Sequence, residues 1–250
     1  MQAYSKNFAK VYNSRWTGFV REVAPLISDF YSETPAAGRN KSVLDLGCGT
    51  GQLATCFLEK GYEVVGIDSS KHMLQYAIEN AGHFVNTGQA KFIQGNVADF
   101  IVDGEFGLVV STFDTLNHLP DMDALIKCFN CVASVNTGYF IFDLNTRAGL
   151  HRWNNIHVDD SDEMLIITRG IYDGKSDRAW TKISGFIRMD DGHYERFDET
   201  AFNSAFNLDM VKDELIRAGW KDTYFAQIQD LSKPVDEPER LGRVFVVASR

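Results

Sequence analysis

The stretch that decides the fold is Val43-Leu44-Asp45-Leu46-Gly47-Cys48-Gly49-Thr50-Gly51, in which a hydrophobic strand runs into a turn that contains three glycines. Glycines at such a turn let the backbone approach a ligand closely and let a helix begin at once, which is typical of a nucleotide-binding loop. The dinucleotide fingerprint, Gly-x-Gly-x-x-Gly, places a pyrophosphate at the helix N-terminus. Here the third glycine comes one residue early. The spacing alone therefore does not identify the ligand.

One carboxylate in this stretch narrows the choice of ligand. Asp45 lies on the strand just before the turn and would place a negative charge close to a bound pyrophosphate, which is costly in a partly buried site. A cationic ligand reverses the sign of that interaction. S-adenosylmethionine carries a sulfonium and an ammonium group and no phosphate, so Asp45 beside the glycines favours it over NAD.

The segment Asp45–Gly51, Asp-x-Gly-x-Gly-x-Gly, resembles the first motif of the class I S-adenosylmethionine-dependent methyltransferases. Later segments agree with that family in order and spacing as far as Leu144. The resemblance implies an α/β fold, with a doubly wound, Rossmann-like sheet of seven strands, and S-adenosylmethionine as the cofactor. It implies these cofactor-binding residues: Asp45, Gly47, Gly49, Gly51, Asp68, Ser69, Met73, Asn96, Val97, Asp99, Thr112 and Phe113, with Tyr12 and Trp16 above the cleft.

The second and third predicted strands supply the middle of this set. The second strand, Glu63–Ile67, ends at Asp68, about 20 residues past the first glycine, where a carboxylate can hold a ribose diol. In the family, a side chain at the place of Met73 packs on the adenine, a contact that suits the adaptable thioether. The third strand, Ala90–Gln94, leads to Asn96 and Asp99, and we expect one of these two to contact the adenine amino group.

The fourth predicted strand, Phe106–Ser111, ends in Thr112-Phe113-Asp114-Thr115-Leu116-Asn117-His118-Leu119. Strand ends of this kind carry the chemistry in open α/β sheets. His118 is the candidate general base, because imidazole exchanges protons near neutral pH; the alternative is a histidine that only caps the next helix or bonds to the loop. Asp114 is the second catalytic candidate, expected to orient an acceptor amine or another loop group.

Composition excludes several other classes of function. The chain has 250 residues, 44% of them hydrophobic, and a net charge of -9, which disfavours a nucleic-acid partner. Without an apolar leader or a membrane-length apolar run, we expect a cytoplasmic protein that does not bind membranes. Cys128-x-x-Cys131 is interpreted as two core thiols and not a metal site, since it lacks a second ligand pair. Monomer and homodimer both stay open.

The chain is divided into an N-terminal cover, a cofactor-binding domain made of two separate segments, and an insert between those segments. Residues 1–35 are predicted to form a helical cover, in which Tyr12, Arg15 and Trp16 lie over the cleft; a helix packed on the sheet edge is the alternative. Residues 36–146 and 204–250 are assigned to the cofactor-binding domain, and 147–203 to an inserted antiparallel lid. Further predictions are a helix over Asp121–Val135, a turn at Asn136–Gly138, strands at Tyr139–Leu144, Met164–Tyr172, Arg178–Met189, His193–Phe202, Asp222–Gln229 and Arg243–Ser249, hairpin turns at Asp173–Lys175 and Asp190–Gly192, a helix over Leu208–Ala218, and a loop at Ser232–Leu241.

The insert sharpens the resemblance toward small-molecule methyltransferases related to the amino-sugar N-methyltransferases. That subgroup implies transfer to a nitrogen or oxygen of a small acceptor, and the candidate acceptor-lining residues are Asn145, His157, Tyr172, Trp180 and Tyr194. No Asn/Asp-Pro-Pro-Tyr segment follows the fourth strand, which also argues against a nucleic-acid base as acceptor. Two alternatives remain: a regulatory protein that binds S-adenosylmethionine without turnover, and an NAD-dependent oxidoreductase in which Asp68 holds the same diol.

Overall fold

The computed structural model describes residues 4–189 and 191–250, which form two β-sheets with helices packed around the larger one. The strands are β1 Ser42–Leu46, β2 Glu63–Asp68, β3 Ala90–Gln94, β4 Phe106–Ser111, β5 Asn136–Asn145, β6 Ile156–Asp160, β7 Met164–Asp173, β8 Arg178–Arg188, β9 Tyr194–Ser204, β10 Asp222–Gln227, β11 Asp230–Pro234 and β12 Arg243–Ser249. The helices are α1 Lys6–Arg15, α2 Gly18–Ser32, α3 Pro35–Arg39, α4 Gln52–Glu59, α5 Lys71–Asn86, α6 Met122–Val135, α7 Arg147–His151 and α8 Leu208–Arg217, with 3-10 helices at Thr115–His118 and Pro238–Arg240.

The central sheet has the strand order β11-β10-β12-β5-β4-β1-β2-β3, in which β1 to β5 pair in parallel and β12 runs antiparallel to β5 and β10. Both faces of its middle strands are buried. The neighbouring residues Val43 and Leu44 belong to different hydrophobic clusters, one on each face. Apolar residues in succession, not in alternation, are what a strand covered by helices on both sides requires. The predicted α/β class with a doubly wound sheet is confirmed.

The sheet has eight strands where seven were expected. The additional strand, β11, includes residues that were predicted to be a charged loop. It lies at the sheet edge, pairs only with β10 through an irregular register, and buries only Leu231. An edge strand with one partner needs no alternating apolar pattern, so the sequence Asp-Leu-Ser-Lys-Pro gave little sign of it.

The turn predicted at 136–138 is also wrong, because β5 begins at Asn136 directly after α6. The Asn136 side-chain amide donates to the carbonyl oxygens of Phe106 and Tyr139, at 3.2 and 2.8 Å. Gly138 meanwhile lies against the Gly107 backbone so closely that a Cβ would not fit. Asn, Thr and Gly thus act here as the irregular start of a strand and not as a turn.

The second sheet is antiparallel, with the strand order β6-β7-β8-β9. Three of its strands fall within two residues of the predicted bounds, and β6 is an additional one. β6 is short and lies at the edge, with Ile156 and Val158 exposed, so its pattern did not distinguish it from a loop. Of the hairpin predicted at 190–192, Asp190 lies outside the described residues.

The N-terminal segment forms two helices with different environments. α2 packs on α4 and contributes Val23 and Ile27 to the core of the central sheet. α1 instead joins a third cluster, in which Phe8 contacts residues of the second sheet such as Phe197. Of the helices in residues 4–189 and 191–250, none has both the length and the apolar character needed to cross a membrane.

Candidate active site

One large pocket, of about 880 Å³, lies at the carboxyl ends of β1, β2 and β4, between the central sheet and the second sheet. α1 forms its third side through Phe8, Tyr12 and Trp16. Open α/β sheets bind ligands at this end, where the direction of strand winding reverses on either side of the first strand. The volume is in the range of small-ligand sites.

The glycine turn forms the floor of this pocket. Gly47, Gly49 and Gly51 have φ of +69°, +53° and +82°, a region that other residues seldom adopt. At Gly47 a side chain would also collide with Thr115, and at Gly51 it would come within 3.1 Å of Ala77 Cα. Gly47 and Gly49 line the pocket, whereas Gly51 caps α4 and lies outside the lining. Gly51 therefore serves the start of the helix and its packing on α5.

Asp45 is the most unusual charge in the pocket. Its side chain is buried, and its Oδ2 has no hydrogen-bond partner among the described residues. Burial, and after it the negative charge of Asp68, raises the pKa of Asp45 to about 8. A buried carboxylate without a partner is costly, and a cationic ligand would relieve that cost while a phosphate would increase it. The donor set at the turn thus fits a sulfonium or ammonium group.

Asp68, the last residue of β2, is fixed by backbone amides. Its Oδ2 accepts a hydrogen bond from Gly49 N at 2.9 Å, and its Oδ1 accepts one from Ser70 N at 2.8 Å. Burial raises the pKa of Asp68 despite these hydrogen bonds and the nearby His118. Each oxygen keeps a second lone pair, so the carboxylate can still accept from two hydroxyl groups of a ligand.

Four further predicted residues lie on the side of the pocket formed after β2 and β3: Ser69, Met73, Asn96 and Val97. Asp99 does not join them. Its side chain is exposed, and its backbone N–H donates to Asn96 O at 3.0 Å, which closes the small turn and directs Asp99 away. Of the pair Asn96 and Asp99, only Asn96 lies in the pocket wall.

The loop after β4 has an uncommon backbone. Phe113 and Asp114 have φ of 62° and 51°, values that residues other than glycine seldom adopt. The Phe113 ring stacks on Phe19 of α2, with ring centroids 5.2 Å apart, and Thr112 lies beside it in the pocket wall. Such residues persist where the surrounding contacts over-determine their conformation.

An arginine from the last strand holds this loop. Arg243 pairs with Asp114 at 2.7 Å and with the buried Asp143 at the end of β5, and its guanidinium lies over the Phe19 and Phe113 rings. Asp143 also accepts a hydrogen bond from Asp114 N at 3.0 Å. Burial would lower the pKa of Arg243, but the charges of Asp143 and Asp114 outweigh it and raise that pKa. The Asp114 carboxylate is therefore engaged in positioning the loop.

His118 has a defined ring orientation. Its Nδ1 lies 2.7 Å from Phe202 O of β9, and because a carbonyl oxygen only accepts, Nδ1 carries the proton. In the neutral ring Nε2 is then an acceptor, and it lies 3.3 Å from the Tyr4 hydroxyl. Nδ1 thus anchors the ring to β9, neither as a helix cap nor through the loop, and Nε2 faces the Tyr4 hydroxyl.

The residues expected to line the acceptor side do not do so. Trp180 and Tyr194 lie on the outer face of their strands, and Asn145 is buried against Asn203. His157 is exposed on β6, and Tyr172 bonds to Asp177 outside the pocket. Arg15, expected over the cleft, is also exposed. The period of a strand identifies two faces but not which face turns inward.

Other residues line that side instead: Tyr4, Phe8, Trp153, Thr181, Ile183, Glu199 and Arg243. None was singled out from the sequence, since each reaches the pocket through contacts distant along the chain. Arg243 is 129 residues from Asp114. The one available signal was that two acids at neighbouring strand ends, both buried, need a cation between them. Among residues 4–189 and 191–250 there is no cluster of three or more His, Cys, Asp or Glu side chains that could hold a metal ion.

The fold and the position of this pocket are those of Rossmann-like proteins, which bind ligands at the carboxyl ends of the strands. Residues 43–136 match the family described as a methyltransferase domain. A protein of Geobacillus sp. (strain WCH70) that is named as a methyltransferase is 28% identical over 216 residues, which cover 84% of this chain and 85% of its own. The matched residues of this chain form a methyltransferase domain.

Solved structures agree on the fold. An S-adenosylmethionine-dependent methyltransferase from Clostridium acetobutylicum ATCC 824 has a TM-score of 0.77 at 24% identity, over 97% of both chains. A sugar N-methyltransferase from Streptoalloteichus sp ATCC 53650 has a TM-score of 0.76 at 18% identity, over 100% of this chain and 94% of its own. The similarity therefore extends through α1 and the second sheet, beyond residues 43–136.

Proposed function

We propose that this protein transfers a methyl group from S-adenosylmethionine to a nitrogen or oxygen atom of a small molecule. The observation that carries the proposal is the buried Asp45, whose Oδ2 has no partner among the described residues although it lines the pocket. A sulfonium or ammonium group would give this carboxylate a partner of opposite charge, whereas the pyrophosphate of NAD would be repelled. Asp68 and His118 line the same pocket.

The cofactor would lie along the floor of the pocket. We assign the cationic part to Asp45, the ribose hydroxyls to Asp68, and the adenine to Met73 and Asn96. The remaining contacts are assigned to the pocket-lining residues Gly47, Gly49, Ser69, Val97, Thr112, Phe113, Tyr12 and Trp16. Gly51 and Asp99 are not assigned a contact, since they lie outside the lining.

Three parts of the chain would share this work. We assign residues 36–146 and 204–250 to cofactor binding, 147–203 to the acceptor side, and 1–35 to a cover over both. The assignment is supported by the pocket walls, which contain Tyr12 of α1 and Ile183 of β8 opposite the glycine turn. A net charge of -9 and a pocket of about 880 Å³ support a small acceptor in place of a nucleic acid.

When bound, S-adenosylmethionine supplies an electrophilic methyl group on a positively charged sulfur. The protein would accelerate the transfer mainly by holding the acceptor in line and excluding water. His118 would be the base that gains a proton in the transfer, at Nε2, because Nδ1 already donates to Phe202 O. Arg243 and Asp114 would keep the Phe113 loop in place during the reaction.

The test is calorimetric titration of the protein with S-adenosylhomocysteine, with NAD as the control. Binding of S-adenosylhomocysteine alone is the expected result, and Asp45→Asn should weaken it while Asp99→Asn should not. Binding of NAD alone would contradict the assignment.

Transfer of labelled methyl groups to a panel of small amines and alcohols then distinguishes an enzyme from a regulatory protein, which would bind without turnover. His118→Ala should keep the affinity and lower turnover.

A further inference from the structure

The segment before α1 is attached to two parts of the pocket. The Ser70 hydroxyl, beside Asp68, donates to the Tyr4 carbonyl oxygen at 3.0 Å. Ser5 N donates to the Glu199 carboxylate on β9 at 2.7 Å. These bonds connect the cofactor side of the pocket to the second sheet on either side of one peptide bond, and they fix where the Tyr4 side chain can point.

Tyr4 itself has a backbone conformation that must be held in place. Its φ is +70°, in the left-handed region, which costs free energy for a residue other than glycine. The Tyr4 ring stacks on Phe8 with centroids 4.5 Å apart and planes inclined by 11°, and Phe8 in turn contacts Phe197. The neighbouring hydrogen bonds and this stack together maintain a strained residue whose hydroxyl lies inside the pocket.

The Tyr4 hydroxyl lies against Nε2, the nitrogen of His118 that does not bond to Phe202 O. Tyr4 Oη is 3.3 Å from His118 Nε2, the nitrogen that accepts in the neutral ring. A neutral imidazole nitrogen has one lone pair in the ring plane, so Nε2 cannot accept a second proton donor while it accepts from Tyr4. An acceptor molecule can therefore reach Nε2 only by displacing the Tyr4 hydroxyl or by passing its proton through it.

We propose, on the basis of the proposed methyl transfer, that Tyr4 is a catalytic residue that relays the acceptor's proton to His118. The acceptor's heteroatom lone pair would form a bond to the methyl carbon as the sulfur–methyl bond breaks, and the sulfur would keep the electron pair of that bond as a neutral thioether. The acceptor's N–H or O–H bond would break in the same step, and its proton would pass to Tyr4 Oη. The Tyr4 O–H proton passes at the same time to His118 Nε2, which leaves Tyr4 neutral and His118 cationic. The positive charge of the donor thus ends on His118.

The surroundings of Tyr4 favour a proton relay and disfavour a tyrosinate that acts as the base itself. Burial, followed by the charges of Asp114, Asp68 and Glu199, raises the pKa of the Tyr4 phenol above its ordinary value. Tyr4 therefore stays protonated before the reaction, as a donor to Nε2 must be. The phenol can accept a proton only while it gives one up, which is the behaviour of a relay.

The first experiment examines the contact without an acceptor. The imidazole nitrogens of His118 are observed by nitrogen-15 NMR with S-adenosylhomocysteine bound, and assigned with His118→Gln. Tyr4→Phe should shift the Nε2 signal and leave Nδ1 unchanged. Tyr172→Phe is the matched control, because it removes a hydroxyl bonded to Asp177 outside the pocket and should shift neither. An unchanged Nε2 signal in Tyr4→Phe would overturn the relay.

The second experiment measures turnover with a mixture of small primary amines, secondary amines and alcohols. Tyr4→Phe and His118→Ala should each lower kcat by about 100-fold, the range of lost acid–base catalysis, with the affinity for S-adenosylhomocysteine kept. The double variant should lose no more than either single one, which a merely structural tyrosine would not produce. A kcat for Tyr4→Phe equal to or above wild type would overturn the relay alone. Binding without any transfer by wild type would overturn the methyl transfer and the relay together.

Discussion

The two sides of the pocket are built in different ways. The glycine-turn side is continuous in sequence: Asp45, the three turn glycines and Asp68 fall within 24 residues, and backbone N–H groups fix its main carboxylate. The opposite side brings together Tyr4, His118 and Glu199, which are more than 80 residues from one another, through side-chain contacts.

Because of this difference, we expect cofactor affinity and methyl transfer to respond to different substitutions. A side that is fixed by its own backbone binds in the same way whatever the second sheet does, so we expect cofactor affinity to be insensitive to changes in the second sheet. A side that is assembled from distant segments depends on each connecting contact. We therefore expect turnover and acceptor choice to respond to substitutions that leave cofactor affinity unchanged.

The largest effect should come from the ion pairs that hold the loop after β4, which carries His118 toward the assembled side. Arg243→Met would leave the Asp114 and Asp143 carboxylates, whose side chains are 10% and 0% exposed, without their cation. Removing one partner of a buried ion pair typically costs about 3 to 5 kcal/mol, because it leaves uncompensated charges. Urea unfolding of the variant and of wild type measures the loss.

Arg217→Met is the matched control for that substitution. Arg217 pairs with Glu214 on one helix surface, and its side chain is 68% exposed, so its removal should cost less than about 1 kcal/mol. Adding Asp114→Asn and Asp143→Asn to Arg243→Met should restore part of the stability. Equal unfolding midpoints for Arg243→Met and Arg217→Met would show that the network does not stabilise the fold.

The next effect concerns the glycine-turn side alone. Asp68→Ala should weaken binding of S-adenosylhomocysteine by about 1.5 to 3 kcal/mol, since hydrogen bonds to a charged carboxylate are lost. Calorimetric titration measures it. Asp99→Ala, which removes an exposed carboxylate from the same side of the sheet, should leave the affinity unchanged. An unaltered affinity in Asp68→Ala would contradict the ribose assignment.

A smaller effect should appear as a pH dependence. Because the pKa of Asp45 is raised to about 8, the unliganded carboxyl is mostly protonated at lower pH, and a cationic ligand must displace that proton. Affinity for S-adenosylhomocysteine, whose ammonium is the cation, should rise about tenfold per pH unit up to about pH 8 and then level off. Titrations at pH 6, 7 and 8 measure the slope.

The proton on Asp45 also determines whether the stability of the fold rises or falls with pH. Asp45 has a higher pKa in the folded chain than in the unfolded chain, so between about pH 4 and pH 8 the folded chain binds the extra proton. Its contribution to stability is present below that window and is lost as the pH rises through it. Asp45→Asn should flatten both the binding slope and this part of the stability curve, and a slope that persists would assign it to another group.

The smallest effect should distinguish the two faces of β8. Thr181 lines the pocket and its neighbour Trp180 lies on the outer face, 42% exposed. Thr181→Leu should lower kcat/KM for the preferred acceptor by roughly threefold to tenfold through added volume, whereas Trp180→Leu should change it by less than about twofold. Neither should alter the affinity for S-adenosylhomocysteine. A larger effect from Trp180→Leu would place the acceptor on the outer face.

Much of the molecule was predictable because its signals are local. The bounds of β3, β4 and β12 were predicted to the residue, and β1, β2 and β4 follow from buried apolar runs. β6 and β11 escaped prediction, because each is a five-residue edge strand with nearly all of its side chains exposed and therefore carries no clear apolar period. Asp99 and Gly51 were matched by motif, and only the folded turn and helix packing show that they lie outside the pocket.

The sequence by itself determined the parallel sheet, the glycine turn and the acids at the ends of the first two strands, since backbone conformation and charge near a turn depend on residues close together. Only the tertiary structure decided that Arg243 would hold the Phe113 loop and that Tyr4 would reach His118 Nε2. Those contacts join segments separated by more than 100 residues. The pattern within any single segment does not specify which distant side chain it will meet, because that depends on how the two sheets and α1 pack together.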